Sequence, residues 1–176
     1  MALGEDRVVF QARKFQVVEK RVPNSPEPLR HVIRHRGAVA ILAVLDDDRL
    51  VFVKNYRISI DAELLEIPAG TREPGESPLE AAIRELKEET GYRAGIWQQL
   101  CEFYTSPGIT DEKMTLFLAQ SLEPGEPQLA PDERLEPCLL TLDEALAAIR
   151  SGTIQDAKTL VAVLTYQNMR EKDQHN

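Results

Sequence analysis

The stretch that most constrains this chain is Gly70 to Tyr92, GTREPGESPLEAAIRELKEETGY. Ser77 suits an N-cap, Pro78 the first helical position and Glu80 the third, so the sequence predicts a capping box with its favoured proline. Gly91 follows Thr90 and can take the left-handed conformation that ends a helix. Between these signals Leu79, Ala82, Ile83, Leu86 and Thr90 recur at helical spacing, and this face is expected to pack on the core. The reading is a glycine-led loop feeding a short amphipathic helix.

That helix carries an excess of acid on one side. Glu85 and Glu89 stack one turn apart on the flank beside the apolar face, with Glu88 next to them. Each like-charged pair at this spacing costs an isolated helix about 0.2–0.5 kcal/mol. Lys87 lies on another side, and Arg84 is placed to orient one member but not to balance three. Clustered carboxylates are hard oxygen ligands suited to magnesium or manganese, and a bound cation removes their repulsion. On helix charge alone, a solvated acidic face is the commoner outcome.

A chain of 176 residues fits one domain with enough core to fold unaided. The net charge of −8 argues against a broad surface for nucleic acid or anionic membrane. Cys101 and Cys138 lie in apolar runs without metal spacing and are expected to be buried thiols in a reducing compartment. His31, His35 and His175 form no zinc pattern. With no apolar run of membrane-spanning length and no signal-peptide core, a cytoplasmic location is expected.

Residues 1–36 alternate polar and apolar positions around a Pro-rich turn, which predicts two or three antiparallel strands with little core of their own. Such a sheet must pack on the rest of the chain (37–176) or on a second subunit. Ala38–Leu45, Asp46-Asp47-Asp48 and Leu50–Val53 read as a hairpin, its Asp triplet a plain turn. Arg57 leaves the return strand beside Tyr56 and would by default make a surface pair. Leu64–Gly70 reads as one short strand, within which Glu66 is either an outward-facing residue or a deliberate acceptor. Glu76 is expected to hold the loop near the helix N-terminus. Gln98–Tyr104 and Lys113–Ala119 read as strands, and Gln120–Glu136 as a polar, mobile connection. Thr141 with Glu144 opens a second helix that stops at Gly152. A final helix from about Asp156 to Met169 is expected to turn Leu160, Val163, Leu164 and Tyr166 or Gln167 inward.

The spacing decides between the readings of the acidic helix. Gly70, Glu76, Arg84-Glu85, Glu88-Glu89 and Gly91-Tyr92 resemble the Nudix box position for position, with an aromatic at Tyr92 where an aliphatic residue is more usual. Ser106-Pro107-Gly108, with its proline fifteen residues after Tyr92, resembles the substrate loop of the ADP-ribose pyrophosphatase branch of that family. LLEIPAG before the box and Asn55-Tyr56-Arg57 upstream are similar to the same branch.

This resemblance implies the Nudix fold, an α/β/α sandwich on a mixed sheet, preceded by an N-terminal antiparallel extension that makes a homodimer. It implies Glu85 and Glu89 as metal ligands, Glu88 as a ligand acting through water, the Ala69 carbonyl as a further ligand, and Mg²⁺ or Mn²⁺ as cofactor. Arg84 would hold the glutamates, while Arg57, Glu66, Ser106, Pro107, Gly108 and Glu112 would contact substrate. Glu133 is the expected general base, with Asp132 and Glu136 as alternatives. The implied reaction is hydrolysis of ADP-ribose or a related ADP-sugar to AMP and a sugar phosphate. The alternatives are another nucleoside diphosphate sugar, such as GDP-mannose, and a non-catalytic ADP-ribose-binding module.

Overall fold

The run from Ala38 to Leu45 has too many consecutive apolar residues for a strand with a wet face. In the computed structural model, which describes residues 6–22, 24–26, 29–129 and 134–173, it forms β4 (Ala38–Val44), buried at every position. Alternation along this strand splits the interior in two. Ala38, Ala40, Leu42 and Val44 meet the two C-terminal helices, α2 (Leu142–Arg150) and α3 (Ala157–Asp173). Val39, Ile41 and Ala43 meet α1 (Pro78–Thr90), which contributes Ala81, Ala82 and Leu86. Full burial of one such leucine is worth about 1.5–3 kcal/mol. The layers are those of the expected α/β/α sandwich.

The sheet is mixed because β4 runs parallel to β9 (Lys113–Glu123), from Ala38 opposite Met114 to Ala43 opposite Ala119. The other strand pairs described in this sheet are antiparallel, among them β9 with β8 (Arg93–Tyr104), and β5 (Leu50–Arg57) with β10 (Leu135–Leu140). The hairpin read from the sequence is present, but β4 and β5 pair only at Ala43–Val51 and Val44–Leu50 before they part.

Two short strands occupy this fork. The β6 strand (Ala62–Glu66) pairs with β5, and β7 (Ala69–Thr71) pairs with the start of β4. Ile67 and Pro68 cross between them. The Ile67 N–H donates to Thr159 Oγ1 at 3.0 Å, and the Pro68 carbonyl accepts from Ile41 N–H at 2.9 Å. Leu64–Gly70 is therefore two strands rather than one, since Pro68 has no N–H with which to continue a ladder.

The N-terminal strands β1 (Arg7–Gln11), β2 (Phe15–Arg21) and β3 (Leu29–His35) form a separate antiparallel sheet. Val18 is buried in it, whereas Val8, Phe10, Phe15 and Leu29 are exposed. It is tied to the main body where Ile33 N–H donates to Ile109 O at 2.9 Å and Asp111 N–H to Ile33 O at 3.1 Å.

Helix orientation departs from the periodicity reading. In α1, Leu79 and Ile83 are 41% and 46% exposed, while Ala81 and Glu89 are buried. The small side chains of Ala81 and Ala82 let the helix approach the sheet closely, which rolls it toward its glutamate flank. Leu164 of α3 is likewise exposed, and Lys158 and Thr159 are buried in its place. Strands β8 and β9 both extend beyond their predicted limits, so the polar connection begins after Glu123. Both cysteines are free and half-buried, and burial pushes their thiols up in pKa.

The C-terminal end of α1 is fixed as its sequence requires. Gly91 has φ of +79° and donates its N–H to Lys87 O at 2.9 Å. The backbone of Gly125 lies where a Cβ on Gly91 would be. Gly91→Ala is expected to cost at least about 1–3 kcal/mol from the backbone conformation alone, read as a lower urea midpoint with an unchanged m-value.

Candidate active site

Arg84 ties the loop to the helix. Its Nε and Nη2 donate to the two carboxylate oxygens of Glu76 at 2.8 and 3.0 Å, a bidentate pair. Its Nη1 donates to Glu85 Oε1 at 2.7 Å and to Glu88 Oε2 at 3.1 Å, and Nη2 also reaches the Thr71 carbonyl at 3.3 Å. One guanidinium thus orients two of the three clustered glutamates, one more than helix spacing suggested, and locks both to the loop. Its own pKa is raised, chiefly by Glu76. Glu76 also accepts from the Glu73 N–H at 2.8 Å, which closes the loop just before the Ser77 cap.

Glu89 turns inward from the same helix. It is 7% exposed, and its Oε2 accepts the Ala69 N–H at 3.1 Å, so β7 and α1 are joined at this point. The neighbouring Gly70 leaves room for the Glu85 carboxylate, in a space that any side chain's Cβ would fill. Glu85, Glu88, Glu89 and Ala69 all line one cleft of about 770 Å³. As a donor set, three carboxylates beside a strand backbone fit a hard divalent cation. Among the described residues no three acidic side chains converge on a single centre; Arg84 holds Glu85 and Glu88, and the Ala69 N–H holds Glu89.

The rest of the cleft is basic. Arg57 and Arg72 line it, and so do Arg13 and Lys14 from the β1–β2 turn and Arg36 from the end of β3. Arg13, Lys14 and Arg36 have no ion-pair partner among the described residues. In a chain of net charge −8 this is a local concentration of cations facing an acidic wall.

The other residues singled out in the sequence are distributed unevenly. Arg57 reaches the cleft, but Glu66 does not: it is 1% exposed and bound to Arg57 and Lys158. Ser106, Pro107, Gly108 and Glu112 lie outside the cleft of the single chain. The Ser106 carbonyl accepts from Ile109 and Thr110 N–H, and Glu112 accepts from Thr105 Oγ1 at 2.7 Å, so this loop packs on itself and on β3. Glu136 is on β10, paired with Lys54 at 3.0 Å and away from the cleft. Asp132 and Glu133 lie outside the described residues.

A family model, the NUDIX domain, matches residues 34–162. The chain belongs to the Nudix family. It is 41% identical over 157 residues to the ADP-ribose pyrophosphatase of Bacillus subtilis (strain 168), covering 88% of this chain and 84% of that one. It is 40% identical over 171 residues to the methanol dehydrogenase activator of Bacillus methanolicus, covering 95% of this chain and 92% of that one. Among solved structures, an ADP compounds hydrolase superposes with a TM-score of 0.81 at 26% identity, over 98% of this chain and 95% of the other. Nudix hydrolases generally use divalent metal ions, in keeping with the acidic wall. No described helix is long and apolar enough to cross a membrane.

Sequence reasoning did not find Arg13, Lys14, Arg36 and Arg72 as parts of this Nudix site. The signal available was the Arg13-Lys14 pair at a turn between Phe10 and Phe15, a charge doublet interrupting an apolar alternation.

Hydrogen bonding from Arg84 holds the Glu76 carboxyl below the ordinary carboxylate range; partial burial opposes this, and the Glu73 N–H reinforces it. A depressed folded-state pKa gives stability that is fully present above the unfolded value of about 4.3 and is lost as pH falls through the folded one. Glu76→Gln should therefore lower stability at pH 7 by about 1–3 kcal/mol. The gap to the wild type should close as the pH falls below about 4. Urea melts of both proteins across this range provide the measurement.

Proposed function

We propose that the chain hydrolyses the pyrophosphate bond of ADP-ribose or a related ADP-sugar, releasing AMP and a sugar phosphate. The observation that carries this reading is the two-sided cleft, with Glu85, Glu88, Glu89 and Ala69 on one wall and Arg13, Lys14, Arg36 and Arg57 on the other. A diphosphate is the ligand whose charge suits both, drawn in by the cations on one wall and matched by divalent ions that the acids on the other would hold. The names of the Bacillus subtilis relative and of the superposing hydrolase support an ADP-linked substrate.

In this reading Arg84 keeps Glu85 and Glu88 presented to the cleft, and the Ala69 N–H braces Glu89. Magnesium or manganese ions held by Glu85, Glu88, Glu89 and the Ala69 carbonyl would neutralise the charge that builds on the phosphate oxygens. Arg57 and the basic rim orient the diphosphate for attack by water. Glu133 takes the proton from that water, a phosphorus–oxygen bond forms, and the bond to the bridging oxygen breaks. The intact carboxylate set favours turnover over a pocket that only senses ADP-ribose.

We also assign residues 1–36 to a dimer-forming extension. Val8, Phe10, Phe15 and Leu29 expose apolar surface on a sheet with little core, which a second copy would cover. The Ser106-Pro107-Gly108 loop, lying against β3, would then contact substrate at or near that junction. The half-buried free thiols suit a reducing, cytoplasmic setting.

A magnesium or manganese assay against a panel of nucleoside diphosphate sugars, GDP-mannose included, with product identification tests the substrate. ADP-ribose is expected to give AMP and ribose 5-phosphate; turnover confined to guanine nucleotides would overturn the base assignment. Glu85→Gln and Glu89→Gln should each lower kcat by roughly 10²–10⁴-fold with the fold retained. Glu133→Gln should lose a similar factor while keeping metal and substrate binding. Sedimentation at assay concentration is expected to give a dimer, reduced to monomer when residues 1–36 are deleted.

A further inference from the structure

Beneath the cleft lies a charged cluster that joins two distant parts of the chain. Glu66, at the end of β6, is 1% exposed, and its carboxylate is approached by two cations. Arg57 donates through Nε to Oε1 at 2.7 Å and through Nη2 to Oε2, while Lys158 Nζ donates to Oε2 at 2.6 Å. Lys158, itself buried, makes a second ion pair with Asp156 Oδ1 at 2.9 Å. The other Asp156 oxygen accepts from Thr159 N–H at 3.0 Å and from Thr159 Oγ1 at 2.6 Å. Thr159 Oγ1 in turn accepts the Ile67 N–H at 3.0 Å. A continuous line of contacts runs from the first turn of α3, across the sheet fork, to a guanidinium on the cleft wall.

A buried ion pair by itself adds little stability, because the loss of hydration offsets much of the attraction. What this one fixes is a direction. With Nε and Nη2 committed to Glu66, Arg57 has Nη1 left without a partner among the described residues, and Arg57 lines the cleft. Lys158 offsets the charge of Glu66 as a second cation, at the same Oε2 that Arg57 Nη2 reaches, so Arg57 is not drawn further inward. Asp156 balances Lys158 in the same way.

We propose that Lys158 and Glu66 are positioning residues for substrate binding: together they hold the Arg57 guanidinium at the cleft wall so that its Nη1 edge meets the substrate's diphosphate. This rests on the pyrophosphatase reading above for the identity of the ligand, but the placement of Arg57 can be measured without any turnover.

The test is a double-mutant cycle. Lys158→Met keeps most of the chain length and removes the charge; it should raise KM for ADP-ribose by about 5- to 20-fold while kcat stays within about twofold. In an Arg57→Ala background the same change should alter KM by less than about twofold, because the group it positions is already gone. Lys158→Arg should recover most of the lost affinity. A merely structural role would raise KM equally in both backgrounds, and that result would overturn the proposal, as would an unchanged KM in Lys158→Met. Should Lys158→Met fail to fold, the isosteric Glu66→Gln carries the same cycle. Independently of substrate, the Arg57 side-chain nitrogen resonances should shift, and Nε–H exchange should quicken, in Glu66→Gln; unchanged resonances would overturn the proposal even if ADP-ribose proved not to be the substrate.

Discussion

Three glutamates on one flank of a helix repel one another, and the cation that holds two of them in place is Arg84. Its guanidinium is divided between the loop, through Glu76, and the helix, through Glu85 and Glu88. The pairing therefore does more than neutralise: it sets the distance between loop and helix, and so the shape of the acidic wall. Glu89 is held from the other side by a backbone N–H of β7, which leaves the wall anchored to both the sheet and the loop. Gly70 belongs to the same arrangement, because the Glu85 carboxylate occupies the volume that a side chain there would need.

The sheet supplies the opening into which this wall faces. Because β4 and β5 separate after two residue pairs, two short strands fill the gap, and the chain between them carries Glu66, Ile67 and Pro68 into the interior. Arg57 leaves the end of β5 on one side of the fork, and Ala69 begins β7 on the other. Arg57 and the Ala69 backbone, both lining the cleft, are thus set by the same break in the ladder, with the first turn of α3 packed beneath it. Arg13 and Lys14 of the basic rim come from elsewhere, a turn of the N-terminal sheet, so the cleft is lined by parts of both sheets and by α1.

What could be read in advance was local. The Ser77–Glu80 capping box, the left-handed Gly91 and the second box at Thr141 and Glu144 depend on residues within one turn of each other, and all three are present. The family pattern placed Arg84, Glu85, Glu88 and Glu89 together for the same reason. Helix roll was not legible: apolar spacing favoured burial of Leu79 and Ile83, but close packing at Ala81 and Ala82 took precedence. Nor were contacts between distant residues. Lys158 and Glu66 are 92 positions apart, and nothing in either neighbourhood names the other. Arg13 and Lys14 looked like an ordinary turn because the cleft they border is built by strands far along the chain.

The parallel ladder between β4 and β9 has a consequence for how the chain is made. Ala38 finds Met114 as its partner, so the most hydrophobic strand is complete on the ribosome long before the strand that covers its open edge. Until then its backbone donors and acceptors are available to any other extended segment, a state prone to self-association. The hairpin with β5 and the short β7 follow closely in sequence and cover the opposite edge of β4 early, which leaves the edge awaiting β9 open. Biogenesis of this protein is thus a matter of timing, with the closing of the central ladder as its vulnerable step.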